Sequence, residues 1–169
     1  MMHWGGQGNH LIIPRQRQLA RAAVEAGSDV IVGMHPHILQ GIEFIGHVPV
    51  LYSVGNFAFA SKRPASQESV LVKLKFSPER LVEVGLVPVV ISPSGVPTLA
   101  GQQQSKEILG HLDGFCRMFN TQVQEGRLMA SSPRERLVYE RTEQKGIHPA
   151  ARRSPTRRPS SNKAREKKS

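Results

Sequence analysis

Apolar residues recur at helical spacing in two stretches of the chain. The first stretch predicts a helix over residues 14–26, because Pro14 suits the first turn of a helix and Gly27 suits its end. The second predicts a longer helix over residues 105–123, with Ser105 as its N-cap. This second amphipathic helix is expected to close the domain.

Shorter apolar runs predict β-strands after the first helix. The β-branched run at residues 29–32 predicts a short buried strand. Only two residues precede His3, so the strand that would complete a β-α-β unit is expected to be missing or stunted. Residues 41–45 and 49–53 flank a short turn and predict a hairpin.

Two further runs alternate between apolar and polar residues. They cover residues 70–76 and 81–90, on either side of the turn Ser77-Pro78-Glu79-Arg80. A period of two is typical of strands that have one buried and one exposed face. The pair is therefore predicted to be antiparallel and half exposed, and the elements together predict an α/β fold.

Charge divides the chain into two parts. The 169 residues, 38% of them hydrophobic, suffice for one modest domain, and the formal net charge is +10. Residues 127–169 hold 13 Lys or Arg and 4 Asp or Glu, a net +9, which leaves +1 for residues 1–126. From Arg152 onward the chain has neither aromatic residues nor apolar periodicity. The sequence thus predicts one domain over residues 1–126 and a basic, largely disordered tail over residues 127–169.

Composition also excludes several classes of function. A single cysteine rules out an internal disulfide framework, no apolar run approaches the roughly 20 residues of a membrane span, and the chain starts without a signal-peptide pattern. The segment Gly5-Gly6-Gln7-Gly8 does not precede a helix at phosphate-loop spacing. The basic tail is expected to be solvated or to contact an anionic polymer, and without stacking aromatics specific nucleic-acid binding is disfavoured.

Candidate metal chemistry begins where the buried strand ends. His35 and His37 lie on either side of Pro36, and in an extended chain residues i and i+2 project to the same side. Imidazole pairs suit Zn, Fe, Mn or Ni, and His3 and His10 are candidates for a further ligand. The alternative is an incidental spacing, since the chain has seven histidines.

Several motifs, taken in order, carry a family resemblance. They begin with His3-Trp4-Gly5 and continue through the predicted helix and the strand that follows it. Two longer motifs complete the series, His35-Pro36-His37-Ile38-Leu39-Gln40-Gly41-Ile42-Glu43 and Tyr52-Ser53-Val54-Gly55-Asn56-Phe57. The series resembles the CapA family of capsule-synthesis proteins, the poly-γ-glutamate group. By this resemblance the chain is the C-terminal part of an αββα metallophosphatase-like sandwich.

The resemblance implies a metal site at the ends of the strands. His3 matches the isolated histidine ligand of such folds, and His35 and His37 match the terminal His-x-His pair. The implied cofactor is a divalent metal, Mn, Fe or Zn, with two ions in a complete domain. The implied partners are poly-γ-glutamate or an anionic polysaccharide, and family members generally act outside the cytoplasm, often with a membrane anchor.

Departures from the family pattern limit the functional expectation. The Gly-Asp and Asn-His motifs, which supply the bridging carboxylate and other ligands, are absent, and Gln7 stands where an acid is often found. Imidazoles alone do not neutralise two divalent ions. The chain is therefore expected to carry only the C-terminal portion of such a domain, with an incomplete hydrolase-type site and no assigned catalytic residue. The alternatives are a non-catalytic fragment, or a protein that binds an anionic polymer through its tail.

Other prominent residues admit simpler interpretations. Asn56 is a candidate for substrate binding, with turn chemistry as the alternative. Trp4 and Tyr52 are predicted to be core residues. Glu43, a single acid in an apolar strand, is predicted to face solvent, and His10 is predicted to be solvated.

Overall fold

Two β-sheets and two α-helices form the part of the chain that the structure, a computed structural model, describes, residues 1–130. This is the mixed α/β class that the sequence predicts. The elements, in chain order, are β1 (Met2–His3), α1 (Pro14–Glu25), β2 (Ile31–Met34), β3 (Ile42–Ile45), β4 (Val48–Leu51), β5 (Glu68–Phe76), β6 (Leu81–Ile91), β7 (Pro97–Leu99), α2 (Gln102–Cys116), β8 (Thr121–Gln124) and β9 (Arg127–Ala130).

The first sheet has the strand order β1-β2-β4-β3. Strand β2 runs parallel to β1 and β4, whereas β3 and β4 form the predicted antiparallel hairpin. Strand β1 is the stunted first strand that was expected, only two residues long. It pairs Met2 with Gly33 and His3 with Met34, and this pairing explains why β2 lies two residues further along the chain than the predicted run 29–32.

The second sheet is antiparallel and has the order β5-β6-β9-β8, with β7 also paired to β6. Strands β5 and β6 confirm the predicted alternating pair. Their register is continuous from Glu68 opposite Val90 to a shift between Lys75 and Phe76. Residues 127–130 were assigned to the tail, but they form β9, which touches β6 at Gly85 and pairs with β8. Residues 131–169, the rest of the predicted tail, lie outside the described residues.

The end of the second helix was predicted wrongly. Helix α2 stops at Cys116, and a short 3-10 turn, Arg117–Phe119, leads to Asn120. Asn120 has a φ of 51°, a left-handed conformation that asparagine tolerates and that reverses the chain. Thr121 and Val123 then turn inward from a strand, with a spacing of two that a short window cannot distinguish from helical spacing.

The N-cap of α2 also differs from the prediction. Gly101 is the N-cap, and its backbone N–H donates to the side chain of Gln104. Ser105 lies inside the first turn, where its hydroxyl donates to the carbonyl of Ala100 at 3.2 Å. The three glutamines before Ser105 are good helix formers, so the helix begins earlier than the apolar stripe does.

Two apolar clusters hold these elements together. Helix α1 covers the first sheet through a cluster that contains Trp4 and Tyr52, which confirms that both are core residues. The second cluster joins both sheets to α2, and its buried members are Leu39, Ile42, Leu51, Val70, Val84, Leu86, Ile108, Leu112 and Cys116. Neither α1 nor α2 is long and apolar enough to cross a membrane, and the same holds for every helix within residues 1–130.

Candidate functional site

Three histidines meet where the parallel strands β1 and β2 end. His3 is the last residue of β1, and His35 directly follows β2. The ring centroids of His3 and His35 lie 4.5 Å apart, and those of His35 and His37 lie 6.1 Å apart. Carboxyl ends of parallel strands share one edge of a sheet, and the pairing of His3 with Met34 brings the N-terminal histidine to this edge. We call these residues the histidine cluster.

The local geometry of the cluster differs from the extended chain that the spacing suggested. His35 has a φ of 101° and His37 a φ of 60°, so both lie in the left-handed region rather than in a strand. This region is costly for residues other than glycine. The two rings therefore share a volume because the chain bends twice around the buried Pro36, and not because alternate residues of a strand face the same side.

Asn56 determines the proton position on His37. The Nδ2 amide of Asn56 donates to the carbonyl oxygen of Ser66 at 3.0 Å, which fixes the orientation of the side-chain amide. Its Oδ1 then lies 2.8 Å from Nδ1 of His37. A carbonyl oxygen can only accept, so Nδ1 carries a proton and donates. In neutral His37 the free lone pair is therefore on Nε2, the arrangement that second-shell partners impose on metal-binding histidines.

Strand β5 holds the backbone of Asn56 in place. Asn56 is buried, and Ser69 in β5 donates its hydroxyl hydrogen bond to the backbone oxygens of Asn56 and Val54. Gly55 pairs with Ser69 across an isolated bridge, with a φ of 82°. The structure thus places Asn56, the candidate substrate-binding residue, against His37 rather than toward solvent.

His10 does not join the cluster and is not solvated. Its Nδ1 lies 2.8 Å from the carbonyl oxygen of Leu39, and its ring stacks on Phe115 with centroids 4.5 Å apart. The prediction of a solvated loop histidine was therefore wrong. The contact fastens the N-terminal loop to α2, and a ring that is stacked and hydrogen-bonded in this way is a structural element.

A polar network that joins α1, β3 and the residue after β4 was missed from the sequence. Glu43 was predicted to face solvent, but it is buried, accepts a 2.7 Å hydrogen bond from the Tyr52 hydroxyl and forms a 2.7 Å ion pair with Arg17. The hydrogen bond to Glu43 raises the pKa of Arg17, and burial raises the pKa of Tyr52. The available signal was a single acid within the otherwise apolar run Ile42–Ile45.

A second buried pair fixes the loop that precedes α1. Gln16 and Gln40 are both fully buried, and Nε2 of Gln16 donates to Oε1 of Gln40 at 2.9 Å. Gln40 in turn donates to the backbone oxygens of Asn9 and Leu11. Because Gln40 follows the histidine turn by three residues, this pair ties the N-terminal loop to the segment that carries His35 and His37.

The donor set of the cluster suits part of a metal site. Imidazole nitrogens bind Zn, Fe or Mn, and Asn56 supplies the outer support that such ligands use. Within residues 1–130, however, no three His, Cys, Asp or Glu side chains are arranged to hold one ion together. The loops that surround the cluster, residues 1–13, 33–41 and 53–67, contain no Asp or Glu. These residues therefore fit the imidazole half of a site and do not fit a complete two-metal centre.

Comparison with known proteins identifies the family of this chain. A family model described as "Bacterial capsule synthesis protein PGA_cap" matches residues 1–61, the segment that contains all three histidines and Asn56. The PGA biosynthesis protein CapA of Bacillus subtilis (strain 168) is 33% identical over 127 residues, 75% of this chain. The capsule biosynthesis protein CapA of Bacillus anthracis is 37% identical over 86 residues, 51% of this chain. The chain belongs to the CapA family, as the motif series predicts.

The match covers a limited part of these relatives. The aligned residues make up 33% of the Bacillus subtilis protein and 21% of the Bacillus anthracis protein. The chain thus spans about a third or less of the length of the curated relatives it matches. The alignment of 127 residues is longer than the region of the family model, so the similarity continues beyond the first sheet and the histidine cluster.

Proposed function

We propose that this chain contributes the imidazole ligands of a divalent-metal site in a protein of capsule-polymer synthesis. The ligands are His3, His35 and His37, and the metal is Mn, Fe or Zn. The observation that carries the proposal is the meeting of these three rings at the ends of β1 and β2, with Asn56 hydrogen-bonded to His37. The relatives are named for PGA biosynthesis and capsule biosynthesis, and we extend the role to the synthesis or export of poly-γ-glutamate.

Each residue around the cluster has a defined task in this proposal. His3 and His35 present their rings at 4.5 Å separation, and Asn56 keeps the Nε2 lone pair of His37 free. The 2.7 Å hydrogen bond from Gly8 N–H to the Pro36 carbonyl holds the histidine turn in place. When bound, a divalent metal supplies Lewis acidity and a water of lowered pKa for a hydrolase-type reaction.

The complete site would need groups that the described residues do not supply. Two cations held by neutral imidazoles alone keep their full charge, so carboxylate ligands have to come from outside residues 1–130. The proposal therefore includes an αββα metallophosphatase-like sandwich to which the two described sheets contribute, with two ions in the full domain.

Metal analysis of the purified chain tests the proposal. We expect metal to bind in proportion to protein, and His35→Ala and His37→Ala to remove it. His47→Ala is the matched control, because His47 is an exposed histidine in the turn between β3 and β4. Equal metal content in the parent and in all three variants would contradict the proposal.

The alternative functions make different predictions for the same experiment. A non-catalytic fragment is favoured by the absence of Asp and Glu from the three loops around the cluster, and it predicts no stoichiometric metal. Binding of an anionic polymer through the basic tail is favoured by the net +9 charge of residues 127–169 and predicts affinity without metal. Metal lost specifically on substitution of His35 and His37 would reject the fragment hypothesis.

A further inference from the structure

An exposed arginine lies beside the histidine cluster. Arg63 directly precedes a 3-10 turn, Pro64–Gln67, and its guanidinium packs against the Cα atom of Gly8. The approach is so close that a β-carbon added to Gly8 would lie 1.8 Å from Nη1 of Arg63. Gly8 is itself hydrogen-bonded to Pro36, the residue between His35 and His37. Arg63 is thereby positioned at the loop that borders the cluster.

The backbone around Arg63 is held in place. Its carbonyl accepts a hydrogen bond from Ser66 N–H at 3.0 Å, and its N–H donates to Oγ of Ser61. The carbonyl of the same Ser66 accepts the side-chain amide of Asn56, which contacts His37. One turn of the chain therefore fixes both the arginine and the residue that orients the histidine.

The loops around Arg63 carry an excess of positive charge, which favours the binding of an anion. The loops at residues 1–13, 33–41 and 53–67 contain Lys62, Arg63 and the histidines, and they contain no Asp or Glu. None of the ion pairs described for residues 1–130 includes Arg63. A guanidinium has five N–H donors in a planar fork that matches a carboxylate or a phosphate.

An aromatic side chain, Phe59, lies next to the histidine cluster. The Phe59 ring lies 4.6 Å from the His37 ring, centroid to centroid, and half of Phe59 is exposed to solvent. The ring therefore shields one side of His37 from water, and electrostatic interactions are stronger where water is excluded. Phe59 thus borders the histidine cluster at His37.

We propose that Arg63, Phe59 and the loop at Gly8 form an oxyanion-binding subsite next to the histidine cluster. The ligand chemistry is a carboxylate or phosphate group, and for an acidic capsule polymer it is the glutamyl carboxylate. The identity of this polymer rests on the proposed function, whereas the subsite rests on the geometry of Arg63. The subsite positions a chain of repeated carboxylates across the three histidines.

The test is an NMR titration of the full 169-residue chain, labelled with ¹⁵N, at fixed ionic strength. One probe is a short γ-linked glutamate oligomer and the other is inorganic phosphate. We expect the resonances of Gly8, Phe59 and the Arg63 Nε–H to shift on titration, which separates this subsite from binding by the basic tail. Shifts with the oligomer alone identify the carboxylate as the ligand, and equal shifts with phosphate identify a general oxyanion site.

Two pairs of variants make the test specific. Arg63→Gln removes the charge and should weaken oligomer binding about tenfold or more, the loss expected for a hydrogen-bonded charged group. Arg21→Gln, a change of the same kind at an exposed position of α1, should leave binding unchanged. Gly8→Ala displaces the guanidinium and should weaken binding, whereas Gly46→Ala has a similar positive φ, 62° against 68°, but nothing within 4 Å of the added carbon.

Unchanged binding by Arg63→Gln, or shifts confined to residues 131–169, would overturn the subsite. Metal content measured in parallel keeps the two proposals separate. We expect Arg63→Gln to retain the metal of the parent, because Arg63 is not one of the ligands. A parent chain that holds no metal but binds the oligomer through Arg63 would refute the metal proposal and leave the subsite intact.

Discussion

Nδ1 of His37 donates to Oδ1 of Asn56 across 2.8 Å, and this contact fixes which nitrogen of the ring is free. Replacement of Asn56 by alanine removes the acceptor and the orientation of the ring. We expect metal affinity to fall by about 10- to 100-fold, the usual effect of losing an outer-shell partner. A competition titration with a chelator measures the change, and Gln122→Ala, at an exposed amide of β8, is the control.

The same contact has a spectroscopic signature that needs no metal. In the parent chain, ¹⁵N–¹H correlation spectra of neutral His37 should show the proton on Nδ1. In Asn56→Ala the two tautomers should both be populated. A parent spectrum with the proton on Nε2 would refute the assignment of the free lone pair.

The network of Arg17, Glu43 and Tyr52 should contribute measurably to stability. Glu43→Gln leaves the guanidinium without its charged partner, and we expect the free energy of unfolding to fall by about 1–3 kcal/mol. Glu25→Gln, at an exposed position in the last turn of α1, should change it by less than about 0.5 kcal/mol. Urea denaturation of both variants gives the comparison. A double-mutant cycle with Arg17→Met should show a coupling of about 0.5–3 kcal/mol between the two side chains.

Gly33 is a position where no side chain fits. An added β-carbon would lie 2.1 Å from the Tyr52 carbonyl oxygen and 2.4 Å from Nε1 of Trp4, which are themselves joined by a 2.8 Å hydrogen bond. Gly33→Ala should lower the free energy of unfolding by about 3 kcal/mol through overpacking. Gly110→Ala, on α2 with open space around it, should raise it by about 0.5–1 kcal/mol. Thermal denaturation of the two variants checks both signs.

Cys116 provides a pH-dependent probe of folding. Burial raises the pKa of its thiol from 9.0 to about 12. Because the unfolded chain ionises first, stability from this group is fully present below pH 9.0 and declines as the pH rises toward about 12. Cys116→Ala should remove this component of the decline.

Cys116 is the only cysteine in the sequence, so native alkylation at pH 8 should be slow and should accelerate in urea; rapid native labelling would contradict the burial.

The basic tail can be tested by deletion of residues 140–169. The truncated chain should bind anionic polymers more weakly and with a smaller dependence on salt, because fewer cations release counterions on binding. Filter binding of labelled poly-γ-glutamate over a range of salt concentrations measures both quantities. Identical affinity and salt dependence before and after deletion would exclude the tail as a binding element.

Periodicity was sufficient to predict the regular elements of this fold. The first helix, the hairpin of β3 and β4 and the long pair of β5 and β6 all follow from local spacing, since each buries a continuous apolar face. The hairpin of β8 and β9 was missed because its first strand continues the helical spacing of α2. The reversal of the chain between α2 and β8 depends on the left-handed conformation of Asn120, and a hydrophobic pattern does not predict such a conformation.

The three histidines were predicted as a group, but their geometry and their support were not. Extended spacing predicts that His35 and His37 face one side, whereas the structure reaches that result through two bends. The partners of the cluster come from distant segments, such as Asn56 on His37 and Gly8 on Pro36. Contacts between segments that are far apart in the chain depend on the assembled sheet, so they were accessible only from the structure.

The left-handed backbone at His35 and His37 has an evolutionary consequence. Each such residue costs about 1–3 kcal/mol that glycine would recover. A lineage that no longer needs the imidazole rings would gain stability by substituting glycine at either position, so selection for stability would favour that exchange. Histidine at these two positions in related sequences is therefore a sign of purifying selection for the rings, and glycine there would mark descendants in which the site has been abandoned.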